Sequence, residues 1–182
     1  MKKTTLFSLI ILILSLILFT FLRFQSLEKN IFSTQPSSPP TQKETMSSIK
    51  SLKINTFNHK SISIGSLNKK LYIVNFWATW CLPCLVEIPH LVELYNSYPK
   101  KDILILGISM DKNKNIVKQY LNRNPLPFPI GMYKNEYQRI FGSISGIPTT
   151  YFYDENFNLV HISEGYSSKE VFDNIITQLM ER

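Results

Sequence analysis

The stretch VNFWATWCLPCLVEIP, Val74 to Pro89, holds the only two cysteines of the 182-residue chain, Cys81 and Cys84. The residues leading into it, KLYIVNFWA, form a near-continuous apolar run, the pattern of a strand buried on both faces. The residues after it change period. Leu85, Ile88, Leu91, Val92 and Tyr95 recur at helical spacing. The cysteine pair therefore falls where a buried strand ends and a helix begins.

Three uses of such a pair compete. A structural bridge gains stability with the length of the loop it closes, and this loop is very short. Closed zinc sites want four ligands, usually in two pairs. The chain has no second CxxC, and His59, His90 and His161 are scattered. Two thiolates alone suit Cu(I), so copper handling stays open, with His161 as a candidate third ligand. A redox pair is the sharpest reading.

The position supplies the chemistry. A helix N-terminus offers unpaired N–H groups and a partial positive charge, and both stabilise a thiolate. Cys81, at the helix start and expected to be exposed, is the nucleophile. Cys84, one turn deeper on the same face, is the shielded resolving thiol. Pro83 suits the first turn, where its missing N–H costs nothing. Leu82 and Pro83 bring neither charge nor side-chain donor. The dithiol form is then less stabilised and the couple more reducing.

The formal charge of +7 is dispersed. Residues 1–49 carry a balance of +3 and residues 50–182 one of +4, with no Lys/Arg run longer than two. That argues against nucleic acid as a partner. Leu6 to Leu22, LFSLIILILSLILFTFL, runs 17 residues without a charge, after Lys2 and Lys3 and before Arg23. As a helix it spans about 25 Å, close to a hydrocarbon core with some thinning. No small-residue cleavage site follows it, which favours an uncleaved signal anchor over a removed signal peptide. The two lysines place residues 1–5 in the cytoplasm and the remainder outside. Residues 23–49, rich in Ser, Thr, Gln and Pro, read as a flexible linker.

A folded domain is expected over 50–182. INTFN and SISIG read as short strands around a turn, and DILILGISM as a second buried strand. NKNIVKQYLNRN is a helix stopped by Pro125, Pro127 and Pro129, and NEYQRIFGS is a short helix. GIPTTYFYDENFNLVHISEG reads as a hairpin turning at Asp154–Asn158. SSKEVFDNIITQLMER begins with a capping signal at Ser167 or Ser168 and continues as an amphipathic helix. The order β-β-β-α-β-α-α-β-β-α predicts an α/β fold, a central mixed sheet flanked by helices.

Taken together, VNFWATWCLPC, CLVEIP and GIPTTYFYD resemble the thioredoxin superfamily, and within it the membrane-anchored, extracytoplasmic TlpA/ResA/CcmG (DsbE) branch. The resemblance covers about residues 50–182. It implies a thioredoxin-like fold and thiol–disulfide oxidoreductase activity with no cofactor and no metal. It implies that Pro148 is the cis-proline facing the cysteines, that Ile147 offers backbone groups to an extended substrate strand, and that Trp80 packs beside the nucleophile. It also implies disulfide-bearing clients, apocytochrome c among them, and a DsbD/CcdA-type membrane electron donor. Where many thioredoxins bury an Asp below the cysteines, this chain has Asn75. Glu87, three residues past Cys84, matches the branch's alternative carboxylate and is the candidate acceptor of the Cys84 proton. Pro89 is expected to kink the helix, and His90 to face solvent. An oxidant or isomerase of secreted proteins is the rival within the fold. A peroxidase would want Thr-x-x-Cys, whereas Thr79 lies two residues before Cys81.

Overall fold

The computed structural model describes residues 49–181. The stub 1–5 expected to be cytoplasmic, the apolar stretch 6–22 expected to be an anchor, and the expected linker up to residue 48 lie outside the described residues. Ile49, assigned to the linker by composition, is fully buried in the core. Among the described residues no helix is long and apolar enough to cross a membrane.

The frame is a five-stranded sheet. Its strands are β3 (Leu71–Trp77), β4 (Ile103–Ser109), β5 (Ile130–Met132), β6 (Thr149–Asp154) and β7 (Leu159–Glu164), in the order β5-β4-β3-β6-β7. β3 pairs parallel with β4 and antiparallel with β6, so the sheet is mixed, as expected. All seven residues of β3 are buried, which is why its sequence shows no polar alternation. Leu71, Ile73 and Trp77 point to one cluster, and Tyr72, Val74 and Phe76 to the other.

Helices α1 (Leu82–Ser97), α2 (Lys114–Arg123) and α4 (Lys169–Met180) cover the first face through Leu91, Val117 and Phe172. The second face is covered by the short α3 (Gln138–Phe141), the one-turn segment Asn135–Tyr137 before it, and a small antiparallel hairpin of β1 (Lys53–Ile54) and β2 (Ile62–Ser63). There Phe141 packs edge-on against Phe76 and Tyr151, at centroid separations of 4.9 and 5.5 Å. The hairpin turn between β6 and β7 is held by the Asp154 carboxylate, which accepts from the N–H groups of Asn156 and Asn158.

One strand goes beyond the sequence expectation. The prolines at 125, 127 and 129 end α2, but the chain then enters the sheet as β5, pairing Gly107 with Ile130. Pro129 precedes the strand, and its carbonyl accepts from Gly107 N–H at 2.9 Å. Because β5 is an edge strand and only three residues long, the proline-rich approach costs no ladder bond.

The buried Ile49 extends the folded unit into the segment read as linker. Ile49→Ala is expected to lower the unfolding free energy by about 2–4 kcal/mol, measured by urea titration. A loss below about 0.5 kcal/mol, the range of uninvolved surface positions, would return Ile49 to the linker.

Candidate active site

The exit of β3 sets the cysteines. After Trp77 the chain makes a turn, Ala78–Cys81, in which Cys81 N–H donates to the Ala78 carbonyl at 3.2 Å. Cys81 is the N-cap of α1, with extended backbone and Pro83 in the first turn. Cys81 and Cys84 are joined as a disulfide with Cα atoms 5.2 Å apart. The Cys84 N–H points at Cys81 Sγ, 3.3 Å away, so an orphan helix-terminal donor faces the sulphur as the sequence position requires.

Exposure corrects the expectation for the nucleophile. In the disulfide Cys81 is 5% exposed and Cys84 1%. Trp80 and Leu82, flanking Cys81, are 67% and 75% exposed. Trp80 therefore stands out from the site rather than packing in, and Trp77 is the tryptophan of the core. The Ile147–Pro148 turn covers Cys81. That peptide is cis, Pro148 is buried, and the Ile147 carbonyl oxygen lies 3.6 Å from Cys81 Sγ. In the dithiol form the Cys81 thiol has this carbonyl as a ready acceptor.

Glu87 is 1% exposed. Its Oε1 accepts from Asn75 Nδ2 at 2.8 Å, and its Oε2 from the backbone N–H of Ser167 at 2.8 Å. Asn75 also donates to Thr150 Oγ1 at 2.9 Å, across the β3–β6 pair. Burial pushes the Glu87 carboxyl up to about 7, against the opposing pull of the Ser167 and Asn75 donors. Cys84 and Glu87, both buried, follow each other at helical spacing on α1. Pro89 lies inside α1 without ending it. His90 is half-buried rather than free in solvent, its Nε2 3.1 Å from the Tyr166 hydroxyl. His161 stands across β6–β7 from Phe152, ring against ring. Among the described residues no three His, Cys, Asp or Glu side chains are grouped to hold a metal ion.

Sequence reasoning passed over three site residues. Thr150 and Ser167 carry no pattern that marks them as partners of Asn75 and Glu87, because the sheet and the α4 entry bring them together. Asp111 did leave a signal. It is an acid two residues past the end of a buried parallel strand, the end at which α/β sheets place their ligands. It is 6% exposed and takes both the N–H and the hydroxyl of Thr79.

Comparison with known proteins agrees with this geometry. Residues 46–162 match the AhpC/TSA family. A thiol–disulfide oxidoreductase named ResA from Oceanobacillus iheyensis is 33% identical over 108 residues, which are 59% of this chain and 56% of that protein's length. A ResA from Bacillus thuringiensis is 31% identical over 122 residues, 66% of this chain and 69% of its own length. Among solved structures, a thiol:disulfide interchange protein of the thioredoxin family from Chlorobium tepidum superposes with a TM-score of 0.66 at 34% identity, over 72% of this chain and 94% of that one.

The raised Glu87 carboxyl makes a pH-dependent prediction. The folded protein holds the Glu87 proton to about pH 7, whereas the unfolded chain releases it near the ordinary value of 4.5. Between these limits the folded state binds more protons, so the Glu87 contribution falls as pH rises and levels off above about 7. In urea unfolding of the oxidised protein, Glu87→Gln should gain on the wild type steadily from pH 4.5 to 7. A difference independent of pH would mean that Glu87 titrates normally in the fold.

Proposed function

The chain belongs to the AhpC/TSA family and, within the thioredoxin fold, to the thiol–disulfide oxidoreductases of the ResA type; from that premise we propose that it works as a reductant, tethered outside the cytoplasmic membrane. The observation that carries the reading is a CxxC disulfide capping α1 with a buried carboxyl, Glu87, one turn beyond Cys84.

The reaction starts from the dithiol. The Cys81 thiolate attacks a client disulfide; the client S–S bond breaks, a Cys81–client bond forms, and the released client sulphur takes a proton. Glu87, charged above about pH 7, accepts the Cys84 proton. The Cys84 thiolate then attacks Cys81 Sγ, closing the protein disulfide and freeing the second client thiol. The client gains two electrons and the protein loses two. Pro148 and Ile147 line the approach to Cys81, and exposed Trp80 and Leu82 with Pro83 give the client an apolar landing beside the sulphur.

Returning the disulfide to the dithiol requires an electron source, and a membrane carrier of the DsbD/CcdA kind is the donor we assign. The uncleaved apolar stretch 6–22, with the stub 1–5 inside and a linker from residue 23 up to the buried Ile49 outside, holds the domain at that membrane. Apocytochrome c, whose CxxCH thiols must be free to take haem, is the client class we favour. Supporting the reductant direction are Leu82 and Pro83, which add no charge or side-chain donor to stabilise the thiolates.

Equilibration of the full-length chain in detergent with dithiothreitol or glutathione buffers is expected to give a potential near the thioredoxin end of the scale, about −270 mV. A value near about −120 mV would make it an oxidant of secreted thiols instead. In the same preparation Glu87→Gln should slow disulfide exchange at neutral pH by about 100-fold or more, within the range of general-base contributions. Glu93→Gln, on the exposed side of α1, should leave the rate unchanged. Equal rates in the two variants would remove Glu87 from the proton transfer.

A further inference from the structure

Asp111 grips the turn that delivers Cys81. Its Oδ2 accepts from Thr79 N–H at 2.9 Å and from Ser109 Oγ at 2.8 Å, and its Oδ1 accepts from Thr79 Oγ1 at 2.7 Å. Ser109 Oγ in turn accepts from the Asp111 N–H at 3.1 Å. The carboxylate is itself held on the last residue of β4, which pairs with Trp77 at the end of β3. Both ends of the clamp are thus rooted in the sheet, and its jaws close on Thr79, two residues before Cys81. Of the turn's backbone groups, Cys81 N–H donates to the Ala78 carbonyl at 3.2 Å and the Cys81 carbonyl accepts from Leu85 N–H on α1 at 3.0 Å.

We infer that Asp111 is a positioning residue for disulfide exchange: by fixing Thr79 it holds the Ala78–Cys81 turn, and with it Cys81 Sγ, when the bond to Cys84 is open. In the disulfide, Cys84 itself restrains Cys81. In the dithiol that covalent restraint is gone, and the turn must keep the sulphur at the start of α1, beside the Ile147 carbonyl. Two effects follow, and they have the same sign. Thiols held in register have a high effective concentration toward each other, which favours the disulfide. A buried carboxylate near the helix start opposes the dipole that stabilises a Cys81 thiolate, which disfavours the reduced form. Each makes the couple more reducing. The inference uses the proposed function only in taking Cys81 as the attacking sulphur.

The test is the glutathione equilibrium of full-length wild type, Asp111→Ala, Asp111→Asn, Thr79→Val and Thr79→Ser, with thermal unfolding of each recorded alongside. Both Asp111 variants are expected to shift the equilibrium about tenfold toward the dithiol, about 30 mV less negative. Thr79→Val keeps the backbone bond but loses the hydroxyl, and should shift the same way by about threefold. Thr79→Ser keeps both contacts and should stay within about twofold of wild type. A merely structural role would lower the melting temperature and leave the potential in place. The inference is overturned if both Asp111 variants keep the wild-type potential, or if Thr79→Ser moves as far as Thr79→Val. Should the Asp111 variants fail to fold, the threonine pair decides: a shift in Val but not in Ser supports the clamp, and no shift in Val removes it. The wild-type potential alone judges the reductant reading, and the differences between variants judge Asp111, so either can fail without the other.

Discussion

The double burial of β3 is the constraint on which the rest of the molecule turns. Seven consecutive residues are closed off from water on both faces, with a parallel neighbour on one side and an antiparallel neighbour on the other. No residue in such a strand can keep an unpaired polar group without a cost of about 1–3 kcal/mol. Its amide side chain, Asn75, is paired twice, to Thr150 in the next strand and to Glu87 on the helix above, and its Tyr72 hydroxyl donates to the Leu67 carbonyl, while the Trp77 Nε1 is buried without a hydrogen-bond partner among the described residues. Its place in the alternation puts it on the Leu71–Ile73–Trp77 face, the face α1 covers. The strand thus fixes two things at once: the partner that keeps Glu87 tolerable in the core, and the point at which the chain emerges to make the Cys81 turn.

Two buried carboxyl groups flank the disulfide, and the protein solves their burial differently. Glu87 has two donors, one from an uncharged amide and one from backbone, and burial outweighs them, so its proton is held to about pH 7. Asp111 has three donors converging from Thr79 and Ser109. The first arrangement suits a group that must take up and release a proton. The second suits a group that must hold still. Division of labour between similar side chains by environment alone is how one fold places acid–base and structural carboxylates side by side.

Much of this was legible in the residues. The unbroken apolar run of β3, the change of period at Cys81 and the acid one turn past Cys84 gave the sheet, the helix and the candidate site. The Ile-Pro-Thr stretch marked the covering turn through its family resemblance. What the residues hid was relational. β5 was masked by the prolines before it, because proline punctuation reads the same whether the chain goes on into a loop or onto a sheet edge. Trp77 and Trp80 are three residues apart and chemically identical, yet the first is in the core and the second in solvent; only the end of the strand between them separates the two. Cys81 looked exposed because helix starts usually are, and the cover comes from Ile147, 66 residues away.

The same relational geometry bears on which chemistry the family resemblance can carry. The AhpC/TSA match spans the cysteine motif, and a peroxidase reading of that motif would want a threonine three residues before the reacting cysteine. Here the nearest threonine, Thr79, is one residue out of that register. Its hydroxyl donates to Asp111 at 2.7 Å, a charge-assisted bond of the stronger class. A hydroxyl donates one proton, and this one is already placed. To polarise a peroxide it would have to leave a buried carboxylate short of a donor, which costs more than an ordinary hydrogen bond returns. The residue that a peroxidase would turn toward its substrate is, in this chain, turned inward to hold the turn, and the two sulphurs are left to the exchange of disulfides.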